Sequence, residues 1–196
     1  MYKYISDLHF GHPEIIKKCN RPFASIKEMN EALVKNINEN TDSHDILMIL
    51  GDVSCYNYNP RKELEAIHCR KVLIIGNHDR ALLSHRSFRN QFLDIRESEL
   101  LNDGDSHLFL SHCPHAEWDG YYRHRHHFYG HIHNSASATS VIMNLYPNAV
   151  NVSADVLNFI PRTASWLIDE RRKTYALPSH QEIQQAMKII SEKCLI

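Results

Sequence analysis

A chain of 196 residues with 43% hydrophobic and 23% charged side chains has the make-up of an ordinary globular protein, long enough to bury about 70% of its unfolded surface. Its 22 Lys and Arg balance 23 Asp and Glu to a net charge of −1, which excludes a global basic field for unselective binding to nucleic acid or anionic membrane. Fifteen histidines stand out instead, with no uninterrupted run beyond the pair His126-His127, and histidine is both the commonest metal ligand and the usual proton carrier near neutrality.

In chain order, Tyr2 to Ser6 is a short apolar-rich run that stops at Asp7-x-His9, as a strand feeding a loop does. Neither the N-terminus nor any later window of about 18 residues is apolar enough to predict a signal peptide or a membrane span. Ser25 to Glu28 is a capping box, and Met29, Leu33 and Ile37 behind it recur at helical spacing, which predicts a helix over residues 26–40. Asp45 to Leu50 is a continuous apolar run ending at Gly51-Asp52, the pattern of a buried strand. Residues 60–69 read as helical, and Lys71 to Ile75 is a second buried strand, ending at Gly76-Asn77-His78-Asp79. Leu108 to Leu110 precede Ser111-His112, and His127 to Tyr129 precede Gly130-His131-Ile132-His133. Residues 149–154 and 164–168 read as two further short strands, and Ser179 to Cys194 as a closing amphipathic helix. No repeat or linker divides this order, so a single domain over residues 1–196 is expected.

Strands alternating with helices predict an α/β protein. In such sheets ligands bind where loops converge beyond the carboxyl ends of strands, and every polar cluster named above sits at such an end. The five cysteines, Cys19, Cys55, Cys69, Cys113 and Cys194, are scattered and form no C-x-x-C pair. A disulfide framework or a thiolate zinc knuckle is therefore not expected, and a reducing cytoplasm fits best. Cys113, although it follows a histidine, reads as a small packing residue.

The strand ends collect Asp7, His9, Asp52, Asn77, His78, Asp79, His112, His131 and His133. Carboxylates, imidazoles and an amide oxygen without thiolate suit Mn²⁺, Fe²⁺ or Zn²⁺ rather than a Cys-type zinc site. Nine groups exceed what one ion uses, so two divalent ions are the natural solution. Two ions roughly 3.5–4 Å apart clamp the attacking and leaving oxygens of a displacement at phosphorus. Taken singly, Asp7, Asp52 and Asn77 read as turn or cap residues, and His112 as a strand-end histidine. Taken jointly they read as ligands.

Asp7-x-His9, Gly51-Asp52, Gly76-Asn77-His78-Asp79, Ser111-His112 and Gly130-His131-x-His133 resemble, in order, the five sequence blocks of the calcineurin-like metallophosphoesterases. The resemblance implies a layered α/β/β/α sandwich with a mixed sheet core and the metal site at the carboxyl ends of the strands. It implies that Asp7, His9 and His133 hold the first metal, that Asn77, His112 and His131 hold the second, and that Asp52 bridges both. A hydroxide between the ions would attack phosphorus in line, His78 would assist the leaving oxygen, and Asp79 would orient His78 through its other ring nitrogen.

The opening Ser6-Asp7-x-His9-Phe10-Gly11-His12, with Asn20-Arg21-Pro22-Phe23 after a short helix, is similar to that of a subgroup of small bacterial and phage phosphoesterases. That opening says little about substrate, but His12 lies close enough to the metal loop to reach a phosphate oxygen and Arg21 could neutralise a second. The plainer readings are a hydrogen-bonded loop histidine and a surface salt bridge. Asn77 and His78 are further candidates for binding substrate. Residues 121–128, dense in Tyr, Arg and His, would grip nucleotides if extended, although a solvated edge is the plainer reading. His115, Trp118, Tyr121 and Tyr122 would wall the cleft or pack in the core. Asp155 follows no motif spacing and stays outside the ligand set.

The expected activity is hydrolysis of a phosphodiester or phosphomonoester, a small or nucleotide-like diester foremost, with no stable nucleic-acid complex and no membrane partner. The alternatives are a binding scaffold of the same fold that has lost catalysis, and a nuclease for single strands. The presence of His78 favours catalysis over the scaffold. A histidine-rich storage protein would cluster its ligands in one tract, and these are dispersed.

Overall fold

Three short apolar-rich runs, each followed by polar residues, and a three-residue edge strand build the first sheet. In the computed structural model, which describes residues 1–55 and 57–194 and leaves the Cys194 side chain outside the described residues, these are β1 (Tyr2–Ile5), β2 (Ile46–Leu50), β3 (Arg70–Ile74) and β4 (Asp94–Arg96). They lie in chain order and all run parallel. The second sheet holds β5 (Ser98–Asp103), β6 (Ser106–Ser111), β7 (His126–Tyr129) and β8 (Ala149–Asn151). It is mixed, because β5 and β6 form an antiparallel hairpin while β6, β7 and β8 are parallel. The protein is thus a mixed α/β structure of two four-stranded sheets and seven helices among the described residues: α1 (Pro13–Lys18), α2 (Ile26–Glu39), α3 (Arg61–Ala66), α4 (Arg86–Arg89), α5 (Ala138–Met143), α6 (Ala164–Thr174) and α7 (His180–Cys194).

The period of two along each strand decides what the sheets face. Tyr4, Met48, Leu50 and Ile74 of the first sheet share one buried cluster with Leu108, Leu110, Phe128 and Val150 of the second. The Tyr4 ring meets Phe128 edge-on, with centroids 5.2 Å apart. The alternate residues Ile5, Leu47, Ile49 and Leu73 face away from that cluster, against Met29, Leu33 and Ile37 of α2. The middle of the first sheet is therefore apolar on both faces, which is why β2 reads as an unbroken apolar run. Helix α2 begins where the capping box places it. Ser25 Oγ accepts from the Glu28 N–H at 3.2 Å, and the Glu28 carboxylate accepts from the Ala24 N–H at 2.8 Å.

One expected element differs, and one conditional reading does not hold. Residues 164–168 are not a strand but the start of α6. Thr163 Oγ1 accepts from the Trp166 N–H as a cap, and Ala164, Leu167 and Ile168 recur at i, i+3 and i+4, burying one helical stripe. Residues 121–128 are not extended throughout either. Tyr121–Arg123 is a 3-10 turn, His124 takes a left-handed φ of 57°, and only His126, His127 and Phe128 lie in β7. Trp118 is core, its indole N–H donating to the Arg125 carbonyl at 2.9 Å. No helix among the described residues is long and apolar enough to cross a membrane.

Burial on β7 carries a pH consequence. His127 is wholly buried, accepts the His115 N–H at Nε2 (3.1 Å) and faces the Phe109 carbonyl through Nδ1 (3.3 Å), an arrangement that needs the neutral ring. Burial, opposed in part by the bond to Phe109, pushes its pKa down to about 3. An unfolded histidine titrates near 6.5, so between about 6.5 and 3 the unfolded chain binds a proton that the folded chain refuses. This contribution is complete above pH 6.5 and is lost as pH falls. Urea denaturation of His127→Gln against wild type is expected to show an acid-side slope shallower by one proton, about 1.4 kcal/mol per pH unit.

Candidate metal centre

The loops leaving β1 and β2 run side by side. The Asp7 N–H donates to the Gly51 carbonyl and the His9 N–H to the Asp52 carbonyl, each at 3.0 Å. Holding that pairing while turning the side chains inward forces unusual backbone. Asp7, His9, Asp52, His131 and His133 all have positive φ, between 51° and 70°, in a region that only a few per cent of non-glycine residues adopt. Such strain persists only where surrounding structure imposes it, and it concentrates at functional sites. Two glycines are dictated by close approach. A Cβ on Gly51, which has a φ of 85°, would run into the His112 ring, and one on Gly130 would run into Ser6 and Asp7.

The side chains converge as two overlapping groups. One donor atom each from Asp7, His9 and His133 lies within 4.8 Å of the others, and the same holds for Asp7, Asp52 and His112. His133 Nε2 is 3.8 Å from Asp7 Oδ1, and His9 Nε2 is 3.6 Å from Asp52 Oδ2. On the other side Asn77 Oδ1 lies 3.0 Å from both His112 Nε2 and His131 Nδ1, while His112 Nε2 is 3.4 Å from Asp52 Oδ2. Asp52 therefore stands between the two groups. Asp7, His9, Asp52, His112 and His133 are buried, whereas Asn77 and His131 are exposed, so the second group faces solvent.

This arrangement fits divalent metal. His9 Nε2 is a buried nitrogen with no hydrogen-bond partner, aimed at the Asp52 carboxylate. His112 Nδ1 lies 2.9 Å from the Leu50 carbonyl, which can only accept, so this nitrogen carries the proton. His112 Nε2 points at the oxygens of Asn77 and Asp52, the atom where a metal would take the place of a proton. The field of the carboxylates calls for positive charge. Against the penalty of burial, Asp52 and Asp7 raise His112 to about 9, and Asp155 and Asp7 raise His133 to about 10. Burial would lift Asp52, but His112 and the His78 N–H hold it at about 2. His9, penalised by burial beyond what Asp52 restores, is pushed well down and stays neutral, as a ligand must be.

His78 and His12 stand over this cluster. His78 Nε2 is 3.9 Å from Asp52 Oδ2, and its N–H donates to Asp52 Oδ1 at 2.9 Å. The His9, His12 and His78 rings lie 5.0–5.7 Å apart, with His12 Nδ1 3.1 Å from His9 Nδ1. Burial and the neighbouring His78 lower His12, leaving a neutral ring at the mouth of the site.

Two expected roles are corrected. The Asp79 carboxylate does not reach for the His78 ring. It is fully buried and accepts the N–H groups of Asp52, Val53 and Gly76 at 2.8–2.9 Å, locking the loops after β2 and β3 together. Arg21 is not available to phosphate. Its five donors are directed at both oxygens of Asp155, the Leu8 and Asp7 carbonyls and the Met29 sulfur, with the side chain wholly buried.

Asp155 is the residue that sequence reasoning leaves out. Its Oδ2 is 2.7 Å from His133 Nδ1, which turns His133 Nε2 toward Asp7, as carboxylates behind metal-binding histidines do. Ser6 and Ser153 donate to Asp7 Oδ2 at 2.6 and 2.7 Å and hold that carboxylate in turn. The available signal was position, because Ser153 and Asp155 follow β8 just as the other site residues follow their strands. Breaking the buried Arg21–Asp155 pair with Arg21→Met leaves Asp155 without its main cation, and a loss of about 3–5 kcal/mol is expected in urea denaturation.

A scan of protein-family models finds none that matches. The uncharacterized protein MJ1445 of Methanocaldococcus jannaschii is 34% identical over 160 residues, covering 80% of this chain and 83% of that protein. Among solved structures, a protein of unknown function from Aquifex aeolicus, AQ665, superposes with a TM-score of 0.69 at 20% identity, over 87% of this chain and 98% of that one, a likeness of fold. YfcE, a phosphoesterase from E. coli, superposes with a TM-score of 0.40 at 15% identity over 78% of this chain and 77% of its own.

Proposed function

The chain belongs to the family of the uncharacterized protein MJ1445 of Methanocaldococcus jannaschii, and we propose that it is a two-metal-dependent phosphoesterase with the layered sandwich and site of the calcineurin-like kind. One observation carries this reading. Seven side chains from the ends of β1, β2, β3, β6 and β7 converge with Asp52 among them, five of the seven on strained backbone, in a field that calls for positive charge. Asp7, His9, Asp52 and His133 would hold one divalent ion, and Asn77, His112, His131 and Asp52 the other. Bound there, such ions neutralise phosphate charge and make water a nucleophile near neutral pH.

The chain's own groups supply the rest. His78, partly exposed beside Asp52, is placed to give a proton to the leaving oxygen, and His12 to donate a hydrogen bond to a phosphate oxygen. Asp155 and Arg21 keep His133 oriented, and Asp79 keeps the Asp52 and Asn77 loops in register. A cavity of about 470 Å³ opens beside His131 and His133, lined by Lys18, Asn20, Asn134, Ser135 and Thr139. Its size and polar lining support a small or nucleotide-like phosphoester, a diester foremost, over a long nucleic acid. Cys19, Cys55, Cys69 and Cys113 are free thiols, which supports a cytoplasmic protein.

The test is elemental analysis of protein prepared without chelator, followed by a panel of monoesters, diesters, cyclic nucleotides and short RNA and DNA with Mn²⁺, Fe²⁺ or Zn²⁺ added. About two equivalents of metal per chain and turnover of a small ester are expected. Bound metal with no turnover of any ester would leave the binding scaffold, and cleavage confined to single strands would leave the nuclease.

A further inference from the structure

The thiol of Cys113 is not the packing residue that the sequence suggests. Cys19 and Cys69 are buried and Cys55 is half-buried, but Cys113 is exposed. It also stands in a group with His112 and His131, in which one donor atom from each residue lies within 4.8 Å of the others. The turn that carries it is fixed on both sides. Ser111 Oγ donates to the Cys113 carbonyl at 2.7 Å, and the His112 carbonyl accepts the Gly130 N–H at 2.8 Å, which ties this turn to the one bearing His131.

Resting on the two-metal reading above, we propose that the Cys113 sulfur is a further ligand of the solvent-facing metal position, beside His112, His131 and Asn77. Coordination breaks the S–H bond, forms a metal–sulfur bond and releases the proton to solvent, with no change of oxidation state. The two positions then differ in kind. The buried one, built from Asp7, His9, Asp52 and His133, offers only oxygen and nitrogen. The open one adds sulfur, which favours Zn²⁺, Co²⁺ or Fe²⁺ over Mn²⁺ and Mg²⁺.

The experiment is a Co²⁺ titration of the chelator-stripped full chain, wild type against Cys113→Ser, read by near-ultraviolet absorption and by the rate at which a thiol reagent labels the exposed cysteine. A sulfur-to-cobalt charge-transfer band is expected in wild type and not in the variant, with labelling of loaded wild type slowed on the order of tenfold or more. Loss of Zn²⁺ affinity on the order of tenfold in the variant, with Mn²⁺ affinity nearly unchanged, would agree. Two equivalents of bound cobalt with no such band and an unchanged labelling rate would overturn the sulfur ligand while leaving the two-metal reading intact. No bound cobalt in either protein would overturn both.

Discussion

Asp52→Asn is expected to lower bound metal from about two equivalents per chain to one or fewer, and to cut phosphoester turnover by on the order of a thousandfold or more, equivalent to about 4 kcal/mol. The residue earns this place by geometry. One carboxylate faces His9 at 3.6 Å on one side and His112 at 3.4 Å on the other, so a single charge would serve both proposed positions. Asparagine keeps the volume and keeps an oxygen to accept the His78 N–H, so the loops should hold. What it removes is the charge, which is present throughout the useful pH range because Asp52 titrates at about 2. In its place the amide directs N–H groups at imidazole nitrogens that must present lone pairs to an ion. Chelator-stripped variant should melt below chelator-stripped wild type, because a carboxylate held at about 2 contributes stability near neutral pH that the amide lacks, so metal content is compared at a temperature where both are folded. A variant that binds both ions normally would end the shared-ligand assignment.

How much of this was legible beforehand depends on what each residue answers to. The buried strands and α2 are written in local signals: unbroken apolar runs bounded by Gly51 or Gly76, and a capping box ahead of Met29, Leu33 and Ile37. Nine candidates follow from their position at strand ends, the seven proposed ligands among them from the family resemblance, and the structure brings those seven together. Arg21 was misjudged for the opposite reason. Its partner Asp155 lies 134 positions away, and no local pattern tells a buried pair from a solvent-facing arginine. Asp79 sits three residues from Gly76 and looks like a partner for its neighbour His78, yet two of its three donors belong to the loop after β2. The first turn of α6 looked extended because a run of five residues is too short to separate a period of 3.6 from a period of two, and its Thr163 cap is a weaker signal than a full capping box.

His78→Gln is expected to divide the two functions that Asp52→Asn destroys together. Metal content should stay at wild-type level, because His78 is tied to Asp52 through its backbone N–H, which any side chain retains. Turnover should fall by roughly 10²–10⁴, the worth of a positioned proton donor. The size of the fall should depend on the leaving group. An alkoxide leaves poorly without a proton and should feel the full loss, whereas a nitrophenolate leaves unaided and should feel little. If His78 instead served only to hold phosphate, both esters would suffer equally and through KM. Asp79→Asn gives the contrast that separates the two residues. Its carboxylate clamps the N–H groups of Asp52, Val53 and Gly76, so weakening it should loosen the loops that carry Asp52 and Asn77 and lower metal affinity along with rate, for every leaving group alike. A residue that acts on the substrate and a residue that acts on the scaffold thus leave different signatures, although they are adjacent in the chain.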